Sequence, residues 1–317
     1  IVGASGGGAG LLVQGTDTAR VRFGAAAAER RGSWGQVEVV EGVLPDALQL
    51  DYLTMEHGGG KGAAMLEFGA STLRFTDLRL EHCQGAGLGG RYRGRIDSPG
   101  QTVLVHDCDQ SIFIAAHTLT DLSDLTLDLA DNVLDGVPDD SIHVTARNAE
   151  QAVVSESGVW RNFGVPYIVE ESILLRGTAV LPADVHIEGG TELRFATGKS
   201  LLVGTGDGEG ALILDDAADN PVYFGPADAA IAGAWKGIRL GGLASAERTV
   251  LDGFTLEYAG GGVPGALWIQ DIDLTVRNGT IRHTDPDACA VNVDRADPAG
   301  IDVVIEDSVG GGICSDD

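Results

Sequence analysis

Three histidines and an aspartate recur at a spacing that could place them side by side. The spacing from His57 to His82 is 25, and the spacing from His82 to His106, which is followed by Asp107, is 24. Each histidine ends a short run of alternating apolar and polar residues. Side chains stacked about 4.8 Å apart in a parallel sheet could together bind a divalent metal. His57, His82, His106 and Asp107 are therefore candidate metal ligands.

The same positions have a second interpretation as solvated turn residues. At an offset of 201, the chain has Tyr258 in place of His57 and retains His283, and its third coil has Glu306-Asp307. This drift in residue type favours turn residues over a metal site. Binding of Ca²⁺ remains an alternative on composition alone, because carboxylates are abundant, although the sequence has no EF-hand loop. No other cofactor is predicted.

Paired carboxylates are the other route to chemistry. Asp139-Asp140 and Asp215-Asp216 are adjacent pairs, and polysaccharide hydrolases use two carboxyl groups as acid and base or nucleophile. Neither pair is followed by the Gly-His-Gly and basic residues that a polygalacturonase-type site needs. Turn chemistry alone explains residues 135–140. The sequence therefore assigns no catalytic residue, which favours a non-enzymatic role and leaves an enzymatic one open.

The four cysteines have a regular spacing of their own. Cys83 and Cys108 are separated by 25 positions, and so are Cys289 and Cys314. Equivalent positions on adjacent coils of a parallel stack lie about 4.8 Å apart, which suits the Cα separation of a disulfide. We predict the disulfides Cys83–Cys108 and Cys289–Cys314, and hence an oxidising compartment. Four buried free thiols are the alternative.

These spacings require a coiled fold in which the chain reaches the equivalent position of the next coil every 24 to 25 residues. Leu53-Thr54-Met55 recurs at a spacing of 25 as Leu78-Arg79-Leu80, which recurs at the same spacing as Val103-Leu104-Val105. Alternation over about five positions, followed by Gly, Asn or Asp, predicts a strand with one buried face and then a turn. Such strands, without hairpin dipeptides, predict an all-β fold, a right-handed parallel β-helix. The predicted core includes Leu53, Met55, Leu78, Leu80, Val103, Val105, Phe254, Leu256 and Ile281.

A longer repeat divides the chain into two related modules. Trp34 recurs as Trp235, and residues 53–60 recur as residues 254–261, both at an offset of 201. We predict one module over residues 1–163 with its start missing and a second over residues 164–317 with its end missing. One continuous solenoid is the alternative. Residues 16–31 are the only stretch with a helical pattern, which fits a loop equally well.

Residues 164–285 carry a set of short motifs in a fixed order. They are Gly164-Val165-Pro166-Tyr167-Ile168-Val169, Thr178-Ala179-Val180-Leu181-Pro182, Glu192-Leu193-Arg194-Phe195, Pro221-Val222-Tyr223-Phe224 and Trp235-Lys236-Gly237-Ile238. This order resembles bacterial secreted or surface β-helix proteins of the pectate-lyase-like superfamily. The first module resembles them less, since Trp34-Gly35-Gln36-Val37 departs from the Trp-x-Gly-Ile motif. The resemblance implies the β-helix fold and transfers no catalytic residue.

Composition and charge limit the partners. The chain has 47 acidic and 21 basic residues, a net charge of −26, which excludes nucleic acid and anionic lipid as partners. No apolar run reaches the roughly 18 residues of a membrane span.

We expect an extracellular or bacterial cell-surface protein without enzymatic activity. It would have an adhesive or assembly role, and would self-associate through its solenoid ends or bind extracellular polysaccharide. A carbohydrate-active lyase or hydrolase and a divalent-cation-binding module are the alternatives.

Overall fold

The fold is that of a parallel β-solenoid, as predicted. The computed structural model describes residues 9–26, 30–40, 43–91, 93–145, 152–178, 180–214, 219–298 and 300–316. The chain divides into two compact units, residues 1–147 and residues 148–317. Both units consist of parallel stacked coils, about ten turns in all. The repeat boundary at residues 163 and 164 stays a prediction.

The first unit is built from coils that contribute one strand to each of three parallel sheets. Its strands are β1 (Ala9–Gln14), β2 (Val21–Phe23), β3 (Val37–Val39), β4 (Val43–Asp51), β5 (Leu53–Glu56), β6 (Ala64–Gly69), β7 (Thr72–Thr76), β8 (Leu78–Glu81), β9 (Ala86–Arg91), β10 (Arg95–Ile96), β11 (Thr102–His106), β12 (Gln110–Ile114), β13 (Thr126–Ala130), β14 (Val133–Leu134), β15 (Val137–Pro138) and β16 (Ile142–Val144). The three sheets have the orders β1-β4-β7-β10, β2-β5-β8-β11-β13 and β3-β6-β9-β12-β16. A 3-10 helix, Ala116–Asp124, takes the place of a fifth strand in the first sheet.

Register explains why the core residues could be predicted. Met55 pairs with Leu80 and Leu80 with Val105 in adjacent parallel strands, so one coil separates each residue from the next at the predicted spacing. All three side chains are fully buried. Burial of one such side chain contributes about 1.5–3 kcal/mol, and the stack repeats this contribution in every coil. Every residue of the predicted core is buried in the structure.

The second unit has the same plan with longer strands towards its end. Its strands are β17 (Val153–Val154), β18 (Gly158–Trp160), β19 (Tyr167–Val169), β20 (Ile173–Leu175), β21 (Ala183–Ile187), β22 (Glu192–Phe195), β23 (Ser200–Val203), β24 (Gly210–Leu214), β25 (Val222–Pro226), β26 (Gly237–Leu240), β27 (Val250–Glu257), β28 (Gly265–Gln270), β29 (Thr275–Arg282), β30 (Cys289–Asp294), β31 (Gly300–Glu306) and β32 (Ile313–Asp316). One sheet has the order β17-β20-β23-β26-β28-β30-β32. β27 pairs with β24 through its first residues and with β25 through its last, and so covers two faces of the coil.

Coil length varies more in both units than the sequence predicts. In the first unit, Val21 pairs with Leu53 across a coil longer than 25 residues. Leu256 pairs with Ile281 at the expected spacing, whereas Leu193 pairs with Phe224 across a longer coil. The extra residues lie between strands and leave the strand pairing intact. Loops between solenoid strands can lengthen in this way because the buried ladder depends only on the paired residues.

Two local expectations are wrong. Residues 16–31 contain strand Val21–Phe23, and the described part of this stretch has no helix. The helical segment is instead Ala116–Asp124, where Ala116, Leu119 and Leu122 are buried at the spacing of a single face. A hairpin is also present at Asp135-Gly136, contrary to the expectation of strands without hairpin dipeptides.

Within the described residues, no helix has the length and apolar character that crossing a bilayer requires.

Candidate functional site

Three of the four candidate metal ligands lie at one recurring turn, and Asp131 occupies the same position on the next coil. His57, His82, Asp107 and Asp131 directly follow β5, β8, β11 and β13, and their φ angles are 61°, 57°, 52° and 60°. These values are in the left-handed region, which His, Asp and Asn occupy more readily than other non-glycine residues. Backbone geometry therefore selects these residue types without requiring a ligand. We call this column the turn ladder.

The second unit has the same turn ladder. Tyr258, His283 and Asp307 have φ angles of 57°, 55° and 46°. The Tyr258 and His283 rings stack with centroids 4.9 Å apart, and the rings of His57 and His82 also stack at 4.9 Å. Both units thus place a residue with left-handed backbone conformation at the strand end of successive coils.

The third residue of the first turn ladder, Asp107, forms ion pairs with residues of other coils. His82 Nδ1 lies 2.6 Å from Asp107 Oδ2. The Arg31 guanidinium pairs with Asp107 and also, at 3.0 Å, with Asp109 Oδ1. The backbone N–H of Gly85 donates to Asp109 Oδ2 at 2.9 Å. Sequence reasoning missed Arg31, because a long stretch of chain separates it from Asp107 and no repeat marks it.

His106 lies outside the turn ladder. Its register partner is Glu81, and the partner of Glu81 on the preceding coil is Glu56. Its Nε2 lies 3.0 Å from Asp128 Oδ1. The expected alignment of His106 with His82 is therefore wrong by a single position, because this coil is as long as the one before it and brings Asp107 next to His82.

A metal role for these side chains stays a prediction. In the part of the chain that the structure describes, no group of three or more His, Cys, Asp or Glu side chains is arranged to hold a metal ion. The Asp107 carboxylate is shared by His82 and Arg31, so a cation would have to displace the guanidinium. His57 Nδ1 is buried and has no hydrogen-bond partner among the described residues. This arrangement suits a stacked structural turn better than a coordination site.

The cysteines lie at disulfide distance in the predicted pairs. The Cα atoms of Cys83 and Cys108 are 4.2 Å apart, and those of Cys289 and Cys314 are 6.1 Å apart. The first pair directly follows the ladder residues of two coils and is fully buried. The second pair lies on β30 and β32 and is partly exposed. The pairs occupy different positions in the repeat, so each unit has its own link between coils.

Two tryptophans have the same structural role in the two modules. The indole N–H of Trp34 donates to the backbone oxygen of Glu56 at 2.7 Å, and that of Trp235 donates to the backbone oxygen of Glu257 at 2.8 Å. The Glu257 carboxylate accepts a hydrogen bond from the Tyr223 hydroxyl at 3.0 Å. Burial and the negative charge of Glu257 raise the pKa of Tyr223 to about 12. Tyr223 is therefore a neutral donor at ordinary pH and does not supply a base.

A buried cluster at the end of the first unit contains the residue types of a nucleophilic triad. His143 Nε2 lies 3.0 Å from both Ser141 Oγ and Asp139 Oδ2, and the Ser141 hydroxyl also donates to Asp139. In a triad the carboxylate and the nucleophile contact opposite nitrogens of the imidazole. Here both contact one nitrogen, so the proton relay is not formed. Burial disfavours the charged form of Asp139, but hydrogen bonds from His143 and Ser141 outweigh it and hold the pKa of that carboxyl below its usual value.

A groove of about 440 Å³ lies where the 3-10 helix replaces a strand. Its lining includes Arg74, Arg95, Asp97, Asp121 and Asp124. Arg74 pairs with Asp97 at 2.9 Å, and Arg95 pairs with Asp121 at 2.7 Å. Asp121 also accepts the backbone N–H of Ile96 at 2.9 Å, which satisfies part of the edge of β10. Two of the three carboxylates are thus neutralised, which does not match the acid and base pair of a glycosidase.

The pairing of Asp107 leads to a prediction for acid stability. Burial opposes ionisation of Asp107, but hydrogen bonds from His82 and Arg31 outweigh it and lower its pKa from the ordinary value of 3.8. A lowered folded-state pKa adds stability above the unfolded-state value, and this is lost as the pH falls through the folded-state pKa. We expect the wild type to lose more stability than Asp107→Asn between about pH 4 and pH 2. Urea denaturation at a series of pH values measures the difference.

The matched control for this experiment is Asp131→Asn. Asp131 occupies the next position of the turn ladder with the same backbone conformation, and its side chain is exposed. Asparagine also tolerates positive φ, so both variants keep the turn. If Asp107→Asn and Asp131→Asn have the same acid profile as the wild type, the pairing of Asp107 does not contribute to acid stability.

Comparison of the chain with protein-family models, with curated proteins and with solved structures gives no match.

Proposed function

We propose that this protein is an extracellular structural component, of adhesive or assembly type, without enzymatic activity. The observation that carries the proposal is that the residues most suited to chemistry serve contacts between coils. His82, Asp107 and Arg31 join the corners of different coils, and Cys83 and Cys108 lie at disulfide distance across adjacent ones. Residues engaged in this way stabilise the contacts between coils, which supports a scaffold role.

The proposed location follows from the cysteines. Disulfides persist in oxidising compartments, and two cysteine pairs at bonding distance support secretion or display on a bacterial cell surface. The resemblance of residues 164–285 to surface β-helix proteins of the pectate-lyase-like superfamily supports the same location. A net charge of −26 keeps such a protein soluble and repels anionic surfaces.

Self-association is the proposed mode of assembly. Among the described residues, β31 pairs only with β29, so one edge of β31 has no paired strand. Val304 on β31 is 57% exposed and Ile313 on β32 is 52% exposed. An exposed strand edge with apolar side chains is a template for pairing with another chain. We propose this edge of β31 as a surface through which two copies of the chain associate.

A lysine on this edge should weaken the association. We expect the wild type to self-associate with increasing concentration, most clearly at about 0.5 M salt, where the repulsion between acidic chains is screened. Val304→Lys should weaken association about ten-fold, because it places a charge on the pairing edge. Thr280→Lys is the control, since Thr280 lies in the same outward row on β29, which is paired on both sides. Sedimentation velocity measures the effect.

Two results would contradict the proposed function. The first is a strictly monomeric protein at high concentration and high salt. The second is turnover of an acidic or neutral polysaccharide, seen as new reducing ends or as unsaturated uronate, which would support the enzymatic alternative. Titration calorimetry with Ca²⁺ and Zn²⁺ separates the remaining alternative, a cation-binding module, because that module would show saturable binding.

A further inference from the structure

The hairpin of the first unit is an insertion that the solenoid does not need. β14 and β15 pair antiparallel between the turn ladder and β16. Asp135 and Gly136 join them with φ angles of 50° and 83°, the two positive values of a type I′ turn. The other strands pair in parallel across coils, whereas these two pair only with each other among the described residues.

The base of the hairpin is held firmly by one buried asparagine. The Asn132 side chain is fully buried, and its amide donates to the backbone oxygen of Val105 at 3.0 Å and to Asp140 Oδ1 at 3.1 Å. Its side-chain oxygen accepts the backbone N–H of Cys108 at 3.0 Å. Because the base is fixed, the tip is presented in a defined position at little cost in conformational entropy.

The tip exposes apolar side chains in a strongly acidic setting. Leu134 is 38% exposed and Val137 is 64% exposed. Residues 96–146 contain ten aspartates and no lysine or arginine, and arginines from outside this range pair with four of them, Asp97, Asp107, Asp109 and Asp121. Asp131 and Asp135, which flank Leu134 in the chain, are exposed, and neither forms an ion pair within the described residues. Apolar side chains beside two carboxylates without an ion pair favour a ligand that is both apolar and positively charged.

We propose that this hairpin is a docking surface for a basic amphipathic segment of a partner protein. Apolar side chains of the partner would cover Leu134 and Val137, and its lysines or arginines would face Asp131 and Asp135. A second copy of this chain is a poor match for Asp131 and Asp135, because its acidic residues outnumber its basic ones by 47 to 21. An anionic membrane is excluded for the same reason. The inference goes beyond the proposed function and does not depend on it, since the hairpin is distant in sequence from β31.

The test uses two synthetic helical peptides as probes, one of leucine and lysine and one of leucine and glutamine. We expect the wild type to bind the lysine peptide about ten-fold more tightly than the glutamine peptide at about 0.15 M salt. Leu134→Ser with Val137→Ser should raise the Kd for the lysine peptide about ten-fold. Asp131→Asn with Asp135→Asn should do the same, and asparagine keeps the positive φ at both positions. Fluorescence anisotropy of a labelled peptide measures each Kd.

The matched control is Val180→Ser with Leu181→Ser. These residues are 86% and 66% exposed, and they lie outside the acidic stretch. The control should leave the Kd unchanged. If the control and the hairpin variants weaken binding equally, or if neither hairpin variant weakens it, attraction to the net charge explains the binding and the proposal is overturned. Absence of binding to the lysine peptide also overturns it. All the altered side chains are exposed, and far-UV circular dichroism should confirm that each variant folds.

Discussion

Replacement of Trp235 by alanine should lower the free energy of unfolding by about 3–5 kcal/mol. Trp235 is fully buried, and its ring stacks on Phe195 with centroids 4.5 Å apart and planes 7° apart. Its indole N–H donates to the backbone oxygen of Glu257. The variant leaves a cavity between coils and removes the donor of a buried hydrogen bond. Urea denaturation followed by circular dichroism measures the loss.

The repeat supplies the control for this variant. Trp34 occupies the equivalent position in the first unit and makes the equivalent hydrogen bond to Glu56, but it is partly exposed. Trp34→Ala should therefore cost less than Trp235→Ala, because less apolar area is removed from the folded state. Equal losses in the two variants would mean that burial of the ring does not determine the contribution of this tryptophan.

Removal of Cys83 and Cys108 is the second change with a large expected effect. Replacing both with alanine should cost about 2–4 kcal/mol, since the disulfide would close a loop of about 25 residues in the unfolded chain. Alanine leaves no unpaired polar group at these two fully buried positions. The measurement is chemical denaturation of the variant and of the wild type without reductant.

The second cysteine pair provides a matched comparison. Cys289 and Cys314 have the same sequence separation of 25, so the loop-closure contribution should be similar. Their side chains are partly exposed, and a mild reductant should therefore reach them before the buried pair. Mass spectrometry after thiol alkylation reports which pair is reduced first. If the variant without Cys83 and Cys108 is as stable as the wild type, that pair is not bonded in solution.

Most of the fold could be predicted from two periodicities. Alternation over a few residues marks the strands, and the return of like residues after one coil length marks the coils. Leu53, Leu78 and Val103 satisfy both, and all three are buried. The cysteine pairs follow from the same spacing, because residues one coil apart become neighbours across a parallel sheet.

The remaining features, which are the position of His106, the contact of Arg31 and the hairpin, depend on contacts that the sequence repeat does not predict. His106 and Asp107 are adjacent in the chain, and a shift of one position turns a side chain to another direction. Arg31 reaches Asp107 from a distant part of the chain through an irregular loop. Asp135-Gly136 is a dipeptide typical of β-hairpins. From the sequence it is interpreted as an ordinary turn, because the strands around it follow the solenoid repeat.

The left-handed turns also show how one backbone position accepts different residues. Tyr52 and Asp77 have positive φ in the first unit, and their repeat counterparts in the second unit are Gly253 and Asn278, also with positive φ. The chain thus conserves a torsion angle and lets the side chain vary. In coiled proteins of this kind, columns of histidine and aspartate can arise from stereochemistry alone. A search for metal or ligand sites in such folds should therefore first set aside every column of residues whose members all have a left-handed backbone conformation.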